Sequence, residues 1–214
     1  MRRTQIGLAR ALGAGAAVAL LASSALGADG AMPAGMQDDA TMAGHHHAVT
    51  QVTLSTVQYA VPNVTLIRED GKGVSLPDEA NDGRPVVLNF IFTTCGSICP
   101  LMSQVFGQFQ RKLGVEADHV HLMSISTDPE EDSPARLREY AARYGARAGW
   151  NHYTGTIGAS QSAQRAFGVY RGDKMSHTPV TLMRLAPGQP WVRIDGFVTP
   201  DELLDHYRQL TAAR

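Results

Sequence analysis

Pro85-Val86-Val87-Leu88-Asn89-Phe90-Ile91-Phe92-Thr93-Thr94-Cys95-Gly96-Ser97-Ile98-Cys99-Pro100 is the stretch on which the reading of this 214-residue chain turns. Its apolar, β-branched and aromatic run, 86–92, predicts a buried strand. The only two cysteines of the chain, Cys95 and Cys99, follow within seven residues. Leu101, Val105, Phe106, Phe109 and Leu113 then recur at helical spacing, with Pro100 tolerated in the first turn. Both thiols therefore fall where a buried strand hands over to a helix, whose N-terminus favours thiolate over thiol. If the two share the first helical turn, a spacing of four puts both sulfurs on one face.

Composition bounds what such a site can serve. An apolar content of 43% supports one cored domain with extras, and a formal charge of −1 argues against a nucleic-acid or anionic-membrane surface. Residues 1–27 carry Arg2 and Arg3, an apolar stretch from Ala11 to Leu26 and the small-residue end Ala25-Leu26-Gly27, the layout of a cleavable export signal. The apolar stretch is shorter than the ~20 residues that span a bilayer and is broken by small residues, so cleavage is favoured over an uncleaved anchor. Loss of Arg2, Arg3 and Arg10 with the signal takes the formal charge from −1 to −4. The expected destination is an oxidising exported compartment, with the protein soluble there.

Residues 28–51 are small, polar and Pro/Gly-punctuated, with Met32, Met36, Met42 and His45-His46-His47 and no apolar periodicity. They read as a flexible arm whose thioethers and imidazoles suit copper in its two oxidation states, or as a leader with no such role. A folded domain is expected over 52–214. Val64 and Leu66 lead through Glu69-Asp70-Gly71-Lys72-Gly73 to Val74 and Leu76, a β-hairpin. Residues 119–126 read as a second inner strand. Ser133 and Pro134 open a helix that Gly145 stops, and 161–167 read as a short one. Residues 181–185 and 191–195 form a second hairpin around Ala186-Pro187-Gly188-Gln189, and Thr199 and Glu202 make a capping box for a last amphipathic helix. Strands and helices in this order predict an α/β fold with a central mixed sheet and helices on both faces.

A disulfide between Cys95 and Cys99 would close a very small loop, worth about 2 kcal/mol on the loop-closure account, and would join nothing distant. A functional dithiol, redox-active or metal-binding, is the stronger reading. The candidate third donor is His177, in Met175-Ser176-His177-Thr178-Pro179, because this segment immediately precedes the strand beginning at Val180. Two thiolates and one imidazole form a soft, trigonal set that suits copper; a lone loop histidine is otherwise a solvated side chain. Met175 is a candidate weak fourth ligand. His119 and His121 read as exposed or packing residues on one strand face, and His152 and His206 fall beside polar surface patterns.

These residues resemble the Sco/SenC copper proteins, thioredoxin-like domains of the periplasm and the mitochondrial intermembrane space. The resemblance spans about residues 59–210. It rests on Glu69-Asp70-Gly71-Lys72, on Phe92-Thr93-Thr94-Cys95 with Cys99-Pro100, and on Ser124 through Pro134. It continues in Thr154-Gly155-Thr156 and in His177 ahead of a strand. Gly96-Ser97 stands where the family usually has Pro-Asp. The resemblance implies a thioredoxin-like fold with the hairpin as an N-terminal extension. It also implies Cys95, Cys99 and His177 as ligands of Cu(I) and Cu(II), with Asp128 an acidic residue beside them. The implied task is assembly of the dinuclear copper centre of cytochrome c oxidase. The implied partner is a copper-receiving oxidase subunit or another periplasmic copper chaperone, with the chain itself a monomer.

Three functions follow as expectations: a periplasmic copper metallochaperone, a thiol–disulfide oxidoreductase that reduces the copper-site cysteines of a client, and a peroxiredoxin-like peroxidase or purely structural relative. The third is weakest, since the Pro and Thr spaced ahead of a single nucleophilic cysteine are missing. Metal binding needs both cysteines reduced, so a Cys95–Cys99 disulfide would block loading.

Overall fold

The computed structural model describes residues 52–212. The expected export signal, 1–27, and the Met/His arm, 28–51, lie outside the described residues. In chain order the elements are β1 (Thr53–Val57), β2 (Thr65–Arg68), β3 (Gly73–Ser75), α1 (Leu76–Ala80), β4 (Val86–Ile91), α2 (Ile98–Leu113), β5 (His121–Ser126), α3 (Pro134–Arg143), β6 (Trp150–Gly155), α4 (Ile157–Ala166), β7 (Val180–Arg184), β8 (Trp191–Asp195) and α5 (Pro200–Ala212). Short 3-10 turns occupy Gly114–His119 and Lys174–Ser176.

One eight-stranded sheet runs in the order β1-β8-β7-β4-β5-β6-β2-β3. β4 lies inside it, parallel to β5 and antiparallel to β7, with Asn89 opposite both Ser124 and Thr181. β5 and β6 are also parallel. The C-terminal ends of β4, β5 and β6 and the N-terminal end of β7 therefore meet along one edge of the sheet.

All six side chains of β4 are buried, as expected for a strand covered on both faces. They divide by parity. Val86, Leu88 and Phe90 join Met123, Ile125, Tyr153, Ala163, Phe167 and Trp191 on one face. Val87 joins Phe106, Phe109, Leu122, Leu203 and Tyr207 on the other. On the first face Phe167 packs edge-on to Trp191 at 5.2 Å and against Phe90 at 6.0 Å, contacts worth about 1 kcal/mol each beyond simple burial. One set of polar residues on the central strands is paired internally: Ser124 Oγ donates to Asn89 Oδ1 at 2.7 Å and accepts from Trp150 Nε1 at 3.0 Å.

The predicted signals at helix ends work as capping chemistry. Ser133 Oγ accepts the Arg136 N–H ahead of Pro134, and Thr199 and Glu202 cap α5 reciprocally. The α/β architecture expected from the pattern is the one adopted, with three differences in detail. The hairpin β2–β3 is part of the sheet, since β2 pairs with β6. β1, β6 and the five-residue α1 are elements that the pattern did not announce. α4 begins at Ile157, four residues before the expected 161, because Thr156 Oγ1 accepts the Ala159 N–H and starts it there. Among the described residues no helix is long and apolar enough to cross a membrane.

Candidate metal centre

The two cysteines occupy different structural positions. α2 begins at Ile98, so Cys99 lies in its first turn and Cys95 lies ahead of it. The condition that both share the first turn is therefore not met. Ser97, at the N-cap, makes no side-chain capping bond. The sulfur of Cys95 serves instead: it accepts the Cys99 N–H at 3.4 Å and so satisfies one of the helix's unpaired N–H groups. Cys95 is itself held by a bond from its own N–H to the Phe92 carbonyl at 3.2 Å.

This placement separates the two thiols chemically. Cys99 is fully buried among Ile91, Phe92, Leu137 and Tyr140, and burial pushes its thiol well above the ordinary range, with the hydrogen bond to Cys95 adding to the rise. Cys95 is half-buried. Burial raises its pKa too, but the N–H groups of Cys99, Ser97 and Ile98 together outweigh that and bring it below the usual thiol value. Neither cysteine is in a disulfide.

The loop between β4 and α2 is stitched to the start of α3. The buried carboxylate of Asp132 accepts the Thr93 N–H at 3.1 Å, the Thr93 hydroxyl at 2.5 Å and the Ser126 hydroxyl at 2.6 Å. Burial raises the pKa of Asp132, against the lowering effect of these donors. Three donor groups from two residues at strand ends, Thr93 and Ser126, thus converge on one carboxylate.

His177 arrives from the opposite direction. It follows the Lys174–Ser176 turn and leads through Thr178 and Pro179 into β7. It is only 7% exposed, and burial lowers its pKa, so the ring is neutral at pH 7. Its Nε2 lies 3.0 Å from the Phe90 carbonyl. A carbonyl can only accept, so Nε2 carries the ring proton and Nδ1 carries the lone pair. Metal-bound histidines take this form: one nitrogen donates to a backbone carbonyl and the other is left as ligand.

Cys95 and His177 line one cavity of about 30 Å³, together with Phe92, Gly96, Ser97, Ile98, Lys174 and Met175. Cys99 is not in its lining, and its N–H is hydrogen-bonded to the Cys95 sulfur. Among the described residues no three His, Cys, Asp or Glu side chains stand close enough to hold an ion as placed. Two of the three donors therefore share one cavity, and the three are not drawn onto a common point.

Lys174 is a part of this centre that the sequence did not single out. Its Nζ lies 2.5 Å from Asp128 Oδ2 and 5.8 Å from the centre of the Phe92 ring. It ties the turn before His177 to the segment after β5. Asp128 itself is buried, and it lies beside a second, larger cavity of about 430 Å³ between Pro129, Gln161, Tyr170 and Asp173. Only the family resemblance marked Asp128; a lysine three residues before a histidine carries no signal of its own.

The remaining histidines fall elsewhere. His119 and His206 lie away from the cysteines, on a 3-10 turn and on α5. His121 and His152, read as exposed, packing or surface residues, are buried core residues. The ring nitrogens of His121 lie 2.9 Å from the Tyr153 hydroxyl and 3.2 Å from the Glu79 carbonyl, while His152 is sandwiched between Trp150 and Tyr140.

With this geometry in hand, comparison with known proteins finds a family match. The SCO1/SenC family model matches residues 55–212. A SCO1 protein homolog of Bacillus subtilis (strain 168) is 41% identical over 88 residues, covering 41% of this chain and 45% of that protein. A Stutzerimonas stutzeri protein described as copper-binding is 31% identical over 122 residues, 55% of this chain and 56% of that one. The chain thus spans about half the length of these two relatives. Among solved structures, Arabidopsis thaliana ScoI with copper bound matches with a TM-score of 0.61 at 25% identity, over 72% of this chain and all of that one. BsSco, a member of the Sco family of cytochrome c oxidase assembly proteins, matches with a TM-score of 0.62 at 27% identity, over 75% and 98%.

Proposed function

The chain belongs to the SCO1/SenC family, and on that premise we propose that it binds copper through Cys95, Cys99 and His177 and works as an exported, periplasmic metallochaperone. Its task is to deliver copper to, or prepare, the copper site of cytochrome c oxidase. The observation that carries the reading is the state of His177. The ring is neutral, bound to the Phe90 carbonyl through Nε2, and shares a cavity with Cys95. Two thiolates and one neutral imidazole fit copper by charge as well as by softness: the set carries net −1 with Cu(I) and zero with Cu(II). Metal binding draws the imidazole and the sulfurs together, and the segment that yields is the exposed Gly96-Ser97.

A second reading is favoured by the asymmetry of the thiols. Cys95, half-buried and with a lowered pKa, is suited to attack a client disulfide; Cys99, buried and protonated, is suited to resolve the mixed disulfide. Two electrons then pass to the client, which leaves as a dithiol, while Cys95 and Cys99 are left as a disulfide. A thiol reductant of the exported compartment must restore them.

One experiment separates the two. The reduced protein is loaded with Cu(I) or Cu(II), and wild type is compared with His177→Ala in affinity, in the Cu(II)–thiolate absorption and in dithiol reduction of a model disulfide. Loss of tight copper binding with disulfide reduction intact supports the metallochaperone. Equal copper binding by the two proteins removes His177 from the ligand set and leaves the reductant.

A further inference from the structure

The potential donors around the cavity form a gradient of exposure. Cys99 is fully buried and His177 is 7% exposed, Cys95 is half-buried, and Met175 is 72% exposed. Met175 lines the same cavity as Cys95 and His177. Such exposure is unusual for a large apolar side chain beside a functional cavity, and the backbone holds it there. The Asp173 carboxylate accepts the Met175 N–H at 2.9 Å, and Lys174 anchors the same turn to Asp128. The backbone that carries this thioether is thereby held at the mouth of a site whose second thiol is fully buried.

We propose that Met175 is the outer copper donor of this site, the sulfur that together with Cys95 first takes Cu(I) from an incoming carrier and last holds it on the way out. This rests on the copper-binding reading above and adds the route to it. A thioether is neutral, soft and a weak ligand for Cu(I), which suits a transient position. Transfer then proceeds by exchange of donors, with the ion remaining Cu(I) throughout. The carrier's ligands are replaced by Met175 Sδ and Cys95 Sγ. Cys99 Sγ and His177 Nδ1 then replace Met175 from inside. Each thiol gives up its proton to water or to the departing carrier ligand as it binds. Cys99 comes last because it lies deepest. Delivery runs the same exchanges in reverse.

The competing account of an exposed methionine is an apolar contact for a partner protein. Met175→Leu keeps the apolar surface and removes the sulfur, and Met175→Ser removes both. The full mature protein, reduced, is mixed with Cu(I) held by bathocuproine disulfonate, and uptake is followed by the loss of the chelate's colour. In parallel, protein labelled with ¹³C-methyl methionine is titrated with Ag(I), a redox-silent stand-in for Cu(I), and the Met175 methyl resonance is identified by its absence in Met175→Leu. Uptake and release should slow together by about tenfold in Met175→Leu, a barrier change of about 1.4 kcal/mol. Met175→His, which restores a copper donor, should recover much of the rate, and the wild-type Met175 methyl should shift at substoichiometric Ag(I). An unchanged rate in Met175→Leu, or slow uptake with an unmoved methyl, overturns the proposal. So does a defect seen only in Met175→Ser, which assigns Met175 to apolar contact. If wild type itself takes up no copper, the copper-binding reading falls first and this one falls with it.

Discussion

Lys174 Nζ and Asp128 Oδ2 lie 2.5 Å apart, joining two segments 46 residues distant in sequence across the edge of the sheet that holds the cysteines. The lysine is partly exposed and the carboxylate is buried, so the pair acts as a latch on the turn that carries Met175 and leads to His177. The hydrogen bond to Asp128 raises the Lys174 pKa. Because the folded value is the higher one, the latch contributes fully below the ordinary lysine range and is lost as pH rises through the raised value. Lys174→Leu, which removes the ammonium without adding a copper donor, should weaken copper binding on the order of fivefold. Amide exchange of residues 173–177 should rise while that of β4 and β5 is unchanged. Equal exchange rates in the two proteins would show that the turn holds itself.

The thiols should label in strict order. Iodoacetamide at neutral pH should modify Cys95 alone in the native reduced protein, because Cys95 is accessible with a lowered pKa and Cys99 is fully buried with a raised one. Peptide mass spectrometry reads the order directly. Denaturant should bring both to similar rates. Comparable native labelling of Cys99 would contradict its burial.

Asp132 takes donors from Thr93 and Ser126 on the ends of two strands. Asp132→Asn presents an amide N–H₂ to at least one of those donors and leaves it unpaired in the core. The expected loss is about 2 kcal/mol of stability. For a domain of this size that corresponds to a fall in Tm of about 4–8 °C. The Cys95 alkylation rate should change as well, since the same carboxylate holds the loop from which Cys95 projects. A change in Tm without a change in that rate would confine Asp132 to the core.

His152 is fully buried, and neither ring nitrogen has a hydrogen-bond partner among the described residues. Burial pushes its pKa down to about 3, and burial lowers that of His121 as well. An unfolded histidine titrates near 6.5, so below that value the unfolded chain holds more protons than the folded one. Stability should be complete above about pH 6.5 and decline steadily as the medium is acidified. His152→Phe keeps the ring packing on Trp150, needs no hydrogen bond and removes one of these titrations. It should be neutral or stabilising by about 1 kcal/mol at pH 7 and should flatten the decline between pH 6.5 and 4, as read by thermal melts across that range.

The elements that could be read from residues alone are those whose pattern is local. Strands β4 and β5 announce themselves as unbroken apolar runs, and α3 and α5 by their caps. β6 stayed hidden because its alternating polar residues find partners that are remote in sequence: Asn151 donates to Glu69, and His152 lies between Tyr140 and Trp150. β1 is an edge strand with mostly exposed residues, so it shows no buried periodicity. In the candidate site, the cysteines and His177 were named from type, spacing and resemblance. What could not be read is what holds them. The capping of α2 by the Cys95 sulfur depends on where the helix begins, and Pro100, tolerated anywhere in the first turn, does not fix that point. The Phe90 carbonyl and the Lys174 ammonium become partners only once the sheet has brought β4, β5 and β7 to one edge.

A side chain at Gly96 would meet no neighbouring atom within 4 Å, and the adjacent Ser97 makes no capping bond. The side-chain positions of Gly96 and Ser97, between Cys95 and Ile98, are therefore exposed and free of packing contacts with the core. Replacing them can alter the strain of a Cys95–Cys99 bridge, and with it the voltage at which the pair gains or loses electrons, without repacking anything beneath. A lineage could in this way adjust which reductants or clients the protein answers to by drift at two positions, while selection for a stable core acts on other residues altogether.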